Sequence, residues 1–180
     1  MFALLLCFTA CANNSKETDG SSDIASKETE LNKSEAKALV VYFSCTGNTK
    51  AVAQKISKLT GADLYEIIST DPYTDEDLNY NNDNCRANKE MNDPDARPAI
   101  GSNAIDISNY DIVFIGYPIW WGTMPRIINT FLDTYDLSDK TVMPFCTSGG
   151  SGISKSVSDM KAQELDADIR DGLRANGRSQ

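Results

Sequence analysis

The sequence predicts an α/β fold in which a parallel sheet is covered by helices on both faces, a three-layer sandwich. Near-continuous apolar runs, "ALVVYF" at 38–43 and "YDIVFIGYP" at 110–118, suit strands buried on both sides. Segments of helical periodicity separate such runs, so consecutive strands lie parallel and are joined by crossovers. Right-handed crossovers bring the C-terminal ends of the strands to one edge. Three polar stretches, 44–49, 118–122 and 147–152, leave strands at that edge, where ligands of open α/β sheets bind.

The elements follow in order. "ALVVYF" is the first strand. "NTKAVAQKISKL" places Val52, Ile56 and Leu59 on one helical stripe, with Lys50, Lys55 and Lys58 elsewhere around the helix. Gly61 stops that helix, and a second strand is expected over 64–67. The stretch 69–109 is longer than an ordinary connection, polar, and punctuated by Pro72, Pro94 and Pro98. It is expected to be a surface excursion with a short helix near 84–91, covering part of the rim; a partner-binding role is the other reading. The third strand closes at Pro118 and leads to a helix bearing Ile127, Ile128, Phe131 and Leu132. "TVMPFC" is the fourth strand, in which Pro144 removes a donor and makes the pairing imperfect. "ADIRDGLRA" supplies a fifth, after which "NGRSQ" carries no apolar stripe.

With 180 residues and 41% hydrophobic content, the chain can build one sizeable core. A formal net charge of −9 disfavours nucleic acid and anionic membrane surfaces, which most of the protein would repel. No nucleic-acid partner is expected, whereas a local site can still take a small anion. The chain has no His, which excludes Ser-His-Asp catalysis, Cys-His pairs and His-bearing metal sites. Of the five Cys, Cys45, Cys85 and Cys146 lie in the body without a CxxC spacing. They read as small buried or half-buried residues, and no metal site is expected.

The N-terminal segment 1–11, "MFALLLCFTAC", is too short to span a bilayer, which takes about 20 apolar residues. It resembles the end of a bacterial lipoprotein signal, with Cys11 as the lipidation point after a small residue. It has no Lys or Arg before Cys11, so a simple apolar tail is the alternative. Residues 12–37 hold almost nothing apolar and are expected to be a flexible polar tether to a domain over 38–180. An anchor, a leash and a domain place the protein at the extracytoplasmic face of a bacterial membrane. If the signal-like segment does not work, the expected location is cytoplasmic.

The three rim stretches carry the chemistry. In the first, Ser44, Cys45, Thr46, Gly47, Asn48 and Thr49 join a strand to a helix without any Lys or Arg. Gly47 permits a tight turn, successive backbone N–H groups can point inward, and hydroxyls add donors: an oxyanion nest made of neutral groups. This is neither the GxxxxGK[ST] phosphate loop nor the GxGxxG dinucleotide turn. By itself it could also be a helix capped by Asn48 or Thr49. The second, Pro118, Ile119, Trp120, Trp121 and Gly122, sets two adjacent Trp where a buried strand surfaces, as a flat ligand requires. The third, with Thr147, Ser148, Gly149, Gly150 and Gly152, is too glycine-rich to pack by side chains and offers backbone groups to a ligand. Nest, aromatic wall and backbone-lined edge suit a phosphorylated planar cofactor.

These segments, "VVYFSCTGNTKAVA", "YDIVFIGYPIWWGTMP" and "CTSGGSG", resemble the three flavin mononucleotide (FMN) loops of the flavodoxin family, in the branch found as tethered lipoproteins of anaerobic bacteria. The resemblance spans about 38–177 and implies a five-stranded sheet in the order 2-1-3-4-5. It also implies a closing helix after the fifth strand, for which the sequence has no apolar stripe. The phosphate is expected at 44–49, the isoalloxazine beside 118–122 and its pyrimidine edge toward 147–152. Trp120 is expected to stack on the ring, with Trp121 flanking it or packed beneath. The resemblance implies electron transfer by non-covalent FMN, with no catalytic side chain required. Its partner would be a redox protein or a small electron acceptor. An FMN-dependent NAD(P)H or quinone oxidoreductase is the alternative, and a cofactor-free binding domain is a third class.

Overall fold

The computed structural model describes residues 36–176. In chain order the elements are β1 (Ala38–Phe43), α1 (Asn48–Thr60), β2 (Asp63–Ile67), α2 (Arg86–Asn92), β3 (Ile112–Pro118), α3 (Arg126–Thr134), β4 (Thr141–Ser148), α4 (Ser154–Gln163), β5 (Asp168–Ile169) and β6 (Leu173–Asn176). The sheet runs β2-β1-β3-β4-β5, with β6 also on β4, and every strand pairing is parallel. This is the order 2-1-3-4-5 that the family resemblance implies. Parallel strands need coverage on both faces, and Leu39, Val40, Val41, Val113, Ile115 and Val142 are all fully buried.

One face packs on α3 and α4 through Ile127, Ile128, Phe131, Val157 and Met160. The other packs on α1 in a smaller cluster of Val40, Tyr42, Ala53, Ala62 and Phe145. The packing face of α1 differs from the expected stripe. Its buried residues are Thr49 and Ala53, with Val52 and Ile56 beside them, while Leu59 is 85% exposed. Leu59 lies six residues beyond Ala53, about 120° around a helix, so a stripe drawn through it points past the sheet. Gly61 does end the helix, in left-handed conformation at φ 73°, donating its N–H to the Ser57 carbonyl.

The fifth strand is split. β5 pairs with Thr141 and Val142, β6 with the four residues from Phe145 to Ser148, so Met143 and Pro144 of β4 face the three residues Arg170, Asp171 and Gly172. The extra residue is a bulge opposite the proline, whose missing N–H leaves the ladder a natural place to break. The apolar pattern does not announce α4, whose large apolar side chains are Val157 and Met160 alone. Its third buried residue is Ser156, which accepts from Tyr117 Oη at 3.0 Å and donates to the Ile153 carbonyl at 2.8 Å. Among the described residues no helix follows β6, and no helix is long and apolar enough to cross a membrane. The signal-like segment, Cys11 and the tether up to residue 35 lie outside the described residues.

Candidate cofactor site

β1 ends at Phe43, and the chain turns through 44–47 into α1. Gly47 sits at the N-cap in left-handed conformation, φ 84°, where L side chains are strained, and it supplies no capping side chain. Asn48 and Thr49 therefore do not cap this helix; they are its first residues. Asn48 instead donates through Nδ2 to Thr46 Oγ1 at 3.1 Å. No acidic residue stands in the first turn. Lys50 is drawn away to Glu66 at 2.9 Å. The start of α1 thus presents first-turn N–H groups with neither a cap nor a countercharge, beside the hydroxyls of Ser44 and Thr46, which suits an anion.

The second loop is a tight reversal. Trp120 and Thr123 exchange backbone hydrogen bonds at 2.9 and 3.0 Å across Trp121 and Gly122. Both central residues have positive φ, 47° and 83°, the mark of a type I′ turn. Gly122 adopts this freely, whereas a bulky Trp121 does so at a cost of about 1–3 kcal/mol. The turn is tethered to α4 by Thr123 Oγ1, which donates to Asp159. The two Trp rings differ in setting. Trp120 is partly buried, edge-on to Phe43 and Tyr73 at 5.7 and 5.3 Å between ring centroids. Trp121 is 45% exposed.

The third loop is joined to the other two by Thr147. Its hydroxyl pairs with that of Thr49 at 2.8 Å in a buried contact, and its carbonyl accepts from the Ile119 N–H at 3.0 Å. Thr147 and Ser148 are buried; Gly149, Gly150 and Gly152 are exposed, and an added Cβ at any of them would meet nothing within 4 Å. Nothing in the chain itself crowds these glycines, so the space beside them is open to a ligand.

A cavity of about 470 Å³ connects the first two loops. It is lined by Cys45, Thr46, Pro118, Ile119, Trp120 and Trp121, and also by Leu78, Tyr80 and Ala87 from the 69–109 excursion. The sequence marked this excursion as a cover but contained no motif to single out these three residues. The third loop does not line the cavity; it borders it through the Thr147 bonds. Helix α2, expected near 84–91, anchors the excursion. Arg86 Nε and Tyr73 Oη both donate to the Glu90 carboxylate at 2.6 Å, and the Arg86 guanidinium stacks 4.0 Å over the Tyr73 ring. Burial, and then the hydrogen bond to Glu90, hold the Tyr73 phenol far above its ordinary pKa, so it stays a neutral donor. Cys45 is exposed as a residue, yet burial of its thiol pushes the pKa up to about 12, Arg86 opposing and Glu90 adding. It is a neutral wall residue at physiological pH. Cys85 and Cys146 are buried, and all three described cysteines are free. Among the described residues no group of three or more Cys, Asp or Glu could hold a metal.

Known proteins share this architecture. A family model described as flavodoxin matches residues 37–180. No curated protein matches the chain. A crystal structure of a protein described as a flavoprotein from Bacteroides eggerthii is 48% identical, with 81% of this chain and 91% of that one covered and a TM-score of 0.77. A second such structure, from Bacteroides uniformis, is 39% identical, covers 80% and 92%, and also scores 0.77. A flavoprotein from Lactobacillus acidophilus solved in complex with FMN is 28% identical over 77% of this chain and 93% of its own, at 0.67.

Proposed function

The chain belongs to the flavodoxin family, and on that premise we propose that it carries electrons on a non-covalently bound FMN. The observation that supports this most directly is the start of α1, uncapped and free of acids, set beside a strained Trp turn. Ser44, Thr46 and the N–H groups of 47–49 would hold the phosphate. An anion at an exposed helix start gains about 0.3–1 kcal/mol from the helix dipole, before its hydrogen bonds are counted. FMN supplies the redox chemistry when bound, and the chain supplies position and electrostatics. The geometry favours Trp121 over Trp120 for the ring contact, because Trp121 is half-exposed whereas Trp120 is partly buried against Phe43 and Tyr73. Gly149 and Gly150 leave room for the pyrimidine edge to approach the backbone. The net charge of −9 disfavours added negative charge on reduced flavin, which favours a low potential and a redox partner with a basic face.

The test is purification of the 36–180 region and measurement of flavin absorbance and mass. FMN is expected near one per chain, and riboflavin, which leaves the nest empty, is expected to bind at least tenfold more weakly. Equal binding of the two would remove the role assigned to 44–49. A second reading, a flavin-dependent oxidoreductase, draws on the apolar wall that Leu78, Tyr80 and Ala87 of the excursion add beside the Trp loop, which a substrate could meet. Rapid reduction by NADH or NADPH favours an enzyme fed by nicotinamide; slow reduction with fast exchange to a protein donor favours the carrier.

A further inference from the structure

The Trp loop, 118–122, is tied to α4 on both sides. Before it, Tyr117 Oη donates to Ser156 at 3.0 Å, and Ser156 donates to the Ile153 carbonyl at 2.8 Å. After it, Thr123 Oγ1 donates to Asp159. Tyr117, Ser156 and Thr123 are all buried. Helix α4 begins at Ser154, directly after the third loop, so the two ties fix the Trp turn relative to the glycines at 149–152.

Two locally unfavourable features meet at Asp159. Trp121 holds φ 47°, which a bulky L residue keeps only where its surroundings enforce it. Lys155 stands in the first turn of α4, where the helix dipole disfavours a cation, and it precedes its acid partner in the weaker i,i+4 order. The Asp159 carboxylate answers both. Its Oδ1 and Oδ2 accept from Lys155 Nζ at 3.0 and 2.8 Å, and Oδ2 also accepts from Thr123. Burial raises the carboxyl's pKa, but hydrogen bonds from Lys155 and Thr123, with the charges of Lys155 and Arg126, outweigh it and hold the pKa below the usual range. Thr123 therefore meets a charged acceptor at neutral pH, the stronger kind. Thr123, Lys155 and Asp159 lie outside the cavity lining and act on it from behind.

We propose that Asp159 is a positioning residue for the flavin ring: through Thr123 it keeps the strained Trp turn formed before the cofactor arrives. The proposal rests on the FMN reading above. Thr123 closes the turn by exchanging backbone hydrogen bonds with Trp120, so a grip on its side chain acts directly on the two residues between. Without that grip, the strain at Trp121 is released by opening of the turn, and only the closed fraction accepts the ring. The apparent affinity falls by that fraction, chiefly through slower association. The loss concerns the ring and not the phosphate, so FMN and riboflavin lose the same factor.

The test uses the full chain stripped of flavin, titrated with FMN and with riboflavin and followed by flavin fluorescence. Asp159→Ala is expected to weaken both about tenfold and to slow association by a similar factor, with dissociation within about twofold of wild type. Thr123→Val, which keeps the shape and loses the donor, is expected to match it. Asp159→Asn keeps an acceptor for Thr123 and loses the charge, and is expected to stay within about threefold of wild type. Unchanged affinity in Asp159→Ala and Thr123→Val, a loss confined to FMN, or an Asp159→Asn variant as weak as Asp159→Ala overturns the proposal. A loss seen only in the dissociation rate also overturns it, because that marks a missing contact rather than an unformed turn. The Trp pair gives a readout that needs no cofactor: rings 6.3 Å apart at 86° give a circular dichroism signal set by the turn. In the apoprotein this signal is expected to fall in Asp159→Ala and Thr123→Val and to persist in Asp159→Asn. If the wild type binds neither flavin, the FMN reading fails; the hold on the turn is then judged by this signal, sustained by its loss in those two variants and overturned by its persistence.

Discussion

Trp121 shows how one residue can set stability against function. Its φ of 47° is followed by 83° at Gly122, the pattern that Asn-Gly satisfies without strain. Trp121→Asn is therefore expected to stabilise the apoprotein by about 1 kcal/mol, read as a rise in Tm, while weakening FMN and brightening flavin fluorescence. Trp120→Ala should act the other way on stability, because it removes a ring packed on Phe43 and Tyr73. A fluorescence change in Trp120→Ala alone would return the stacking role to Trp120. The adjacent "WW" was visible in the sequence as an aromatic wall. Which ring faces outward was not, because that depends on a turn closed by Thr123 and on core contacts from distant strands.

At the scale of the element, α2 and the excursion depend on one carboxylate. Glu90 accepts from both Arg86 and Tyr73, so Glu90→Ala leaves a phenol and a guanidinium without their shared partner. A loss of about 1–3 kcal/mol is expected, felt locally. Amide exchange should quicken across 71–92 while β1 and β3 keep their protection; uniform loss of protection would mean the excursion is part of the global core. The helix was legible near 84–91, but its anchoring was not, because Tyr73 and Glu90 are 17 residues apart and nothing in the local pattern pairs them. Helix α4 escaped the apolar pattern for a related reason. It is held partly by polar means, Ser156 to Tyr117 and Thr123 to Asp159, which hydrophobic periodicity does not register.

For the whole molecule, one property follows from charge and a second from the N-terminal segment. Hydrogen bonds from Thr74, Ser108 and Ser138 hold the carboxyls of Asp77, Asp106 and Asp136 below their usual range. Their folded-state pKa values are lowered, so the stability they contribute is present above about pH 3.9 and is lost as pH falls through the lowered values. Glu164 has the opposite sign. Burial, then Asp133, Asp136 and Asp166, raise its pKa, so its charged form disfavours the folded state and protonation relieves this. With no His in the chain, Tm should be nearly flat from pH 8 to 6 and fall steeply below about 4; a decline between pH 7 and 6 would contradict this. The second property is location. We propose that Cys11 is acylated and that the polar leash holds the domain off the membrane. One acyl chain binds only marginally, so a stable anchor takes more than one. Native protein is expected in the membrane fraction and Cys11→Ala in the soluble one; soluble behaviour of both would remove the anchor and leave the FMN reading in place.

The sequence by itself determined the layered α/β class, the strands that carry the rim, and the loops at 44–49, 118–122 and 147–152. It could do so because burial on both faces writes a continuous apolar run, and turns demand glycine or small polar residues locally. The family resemblance added the strand order, which the pairing bears out. Only the tertiary structure decided that α1 buries Thr49 and Ala53 rather than Leu59, and that the last strand breaks opposite Pro144. It alone brought Leu78, Tyr80 and Ala87 to Trp121 across the chain. These outcomes depend on which distant surface each residue meets, and a local pattern records that a side chain needs a partner without recording which partner the fold supplies.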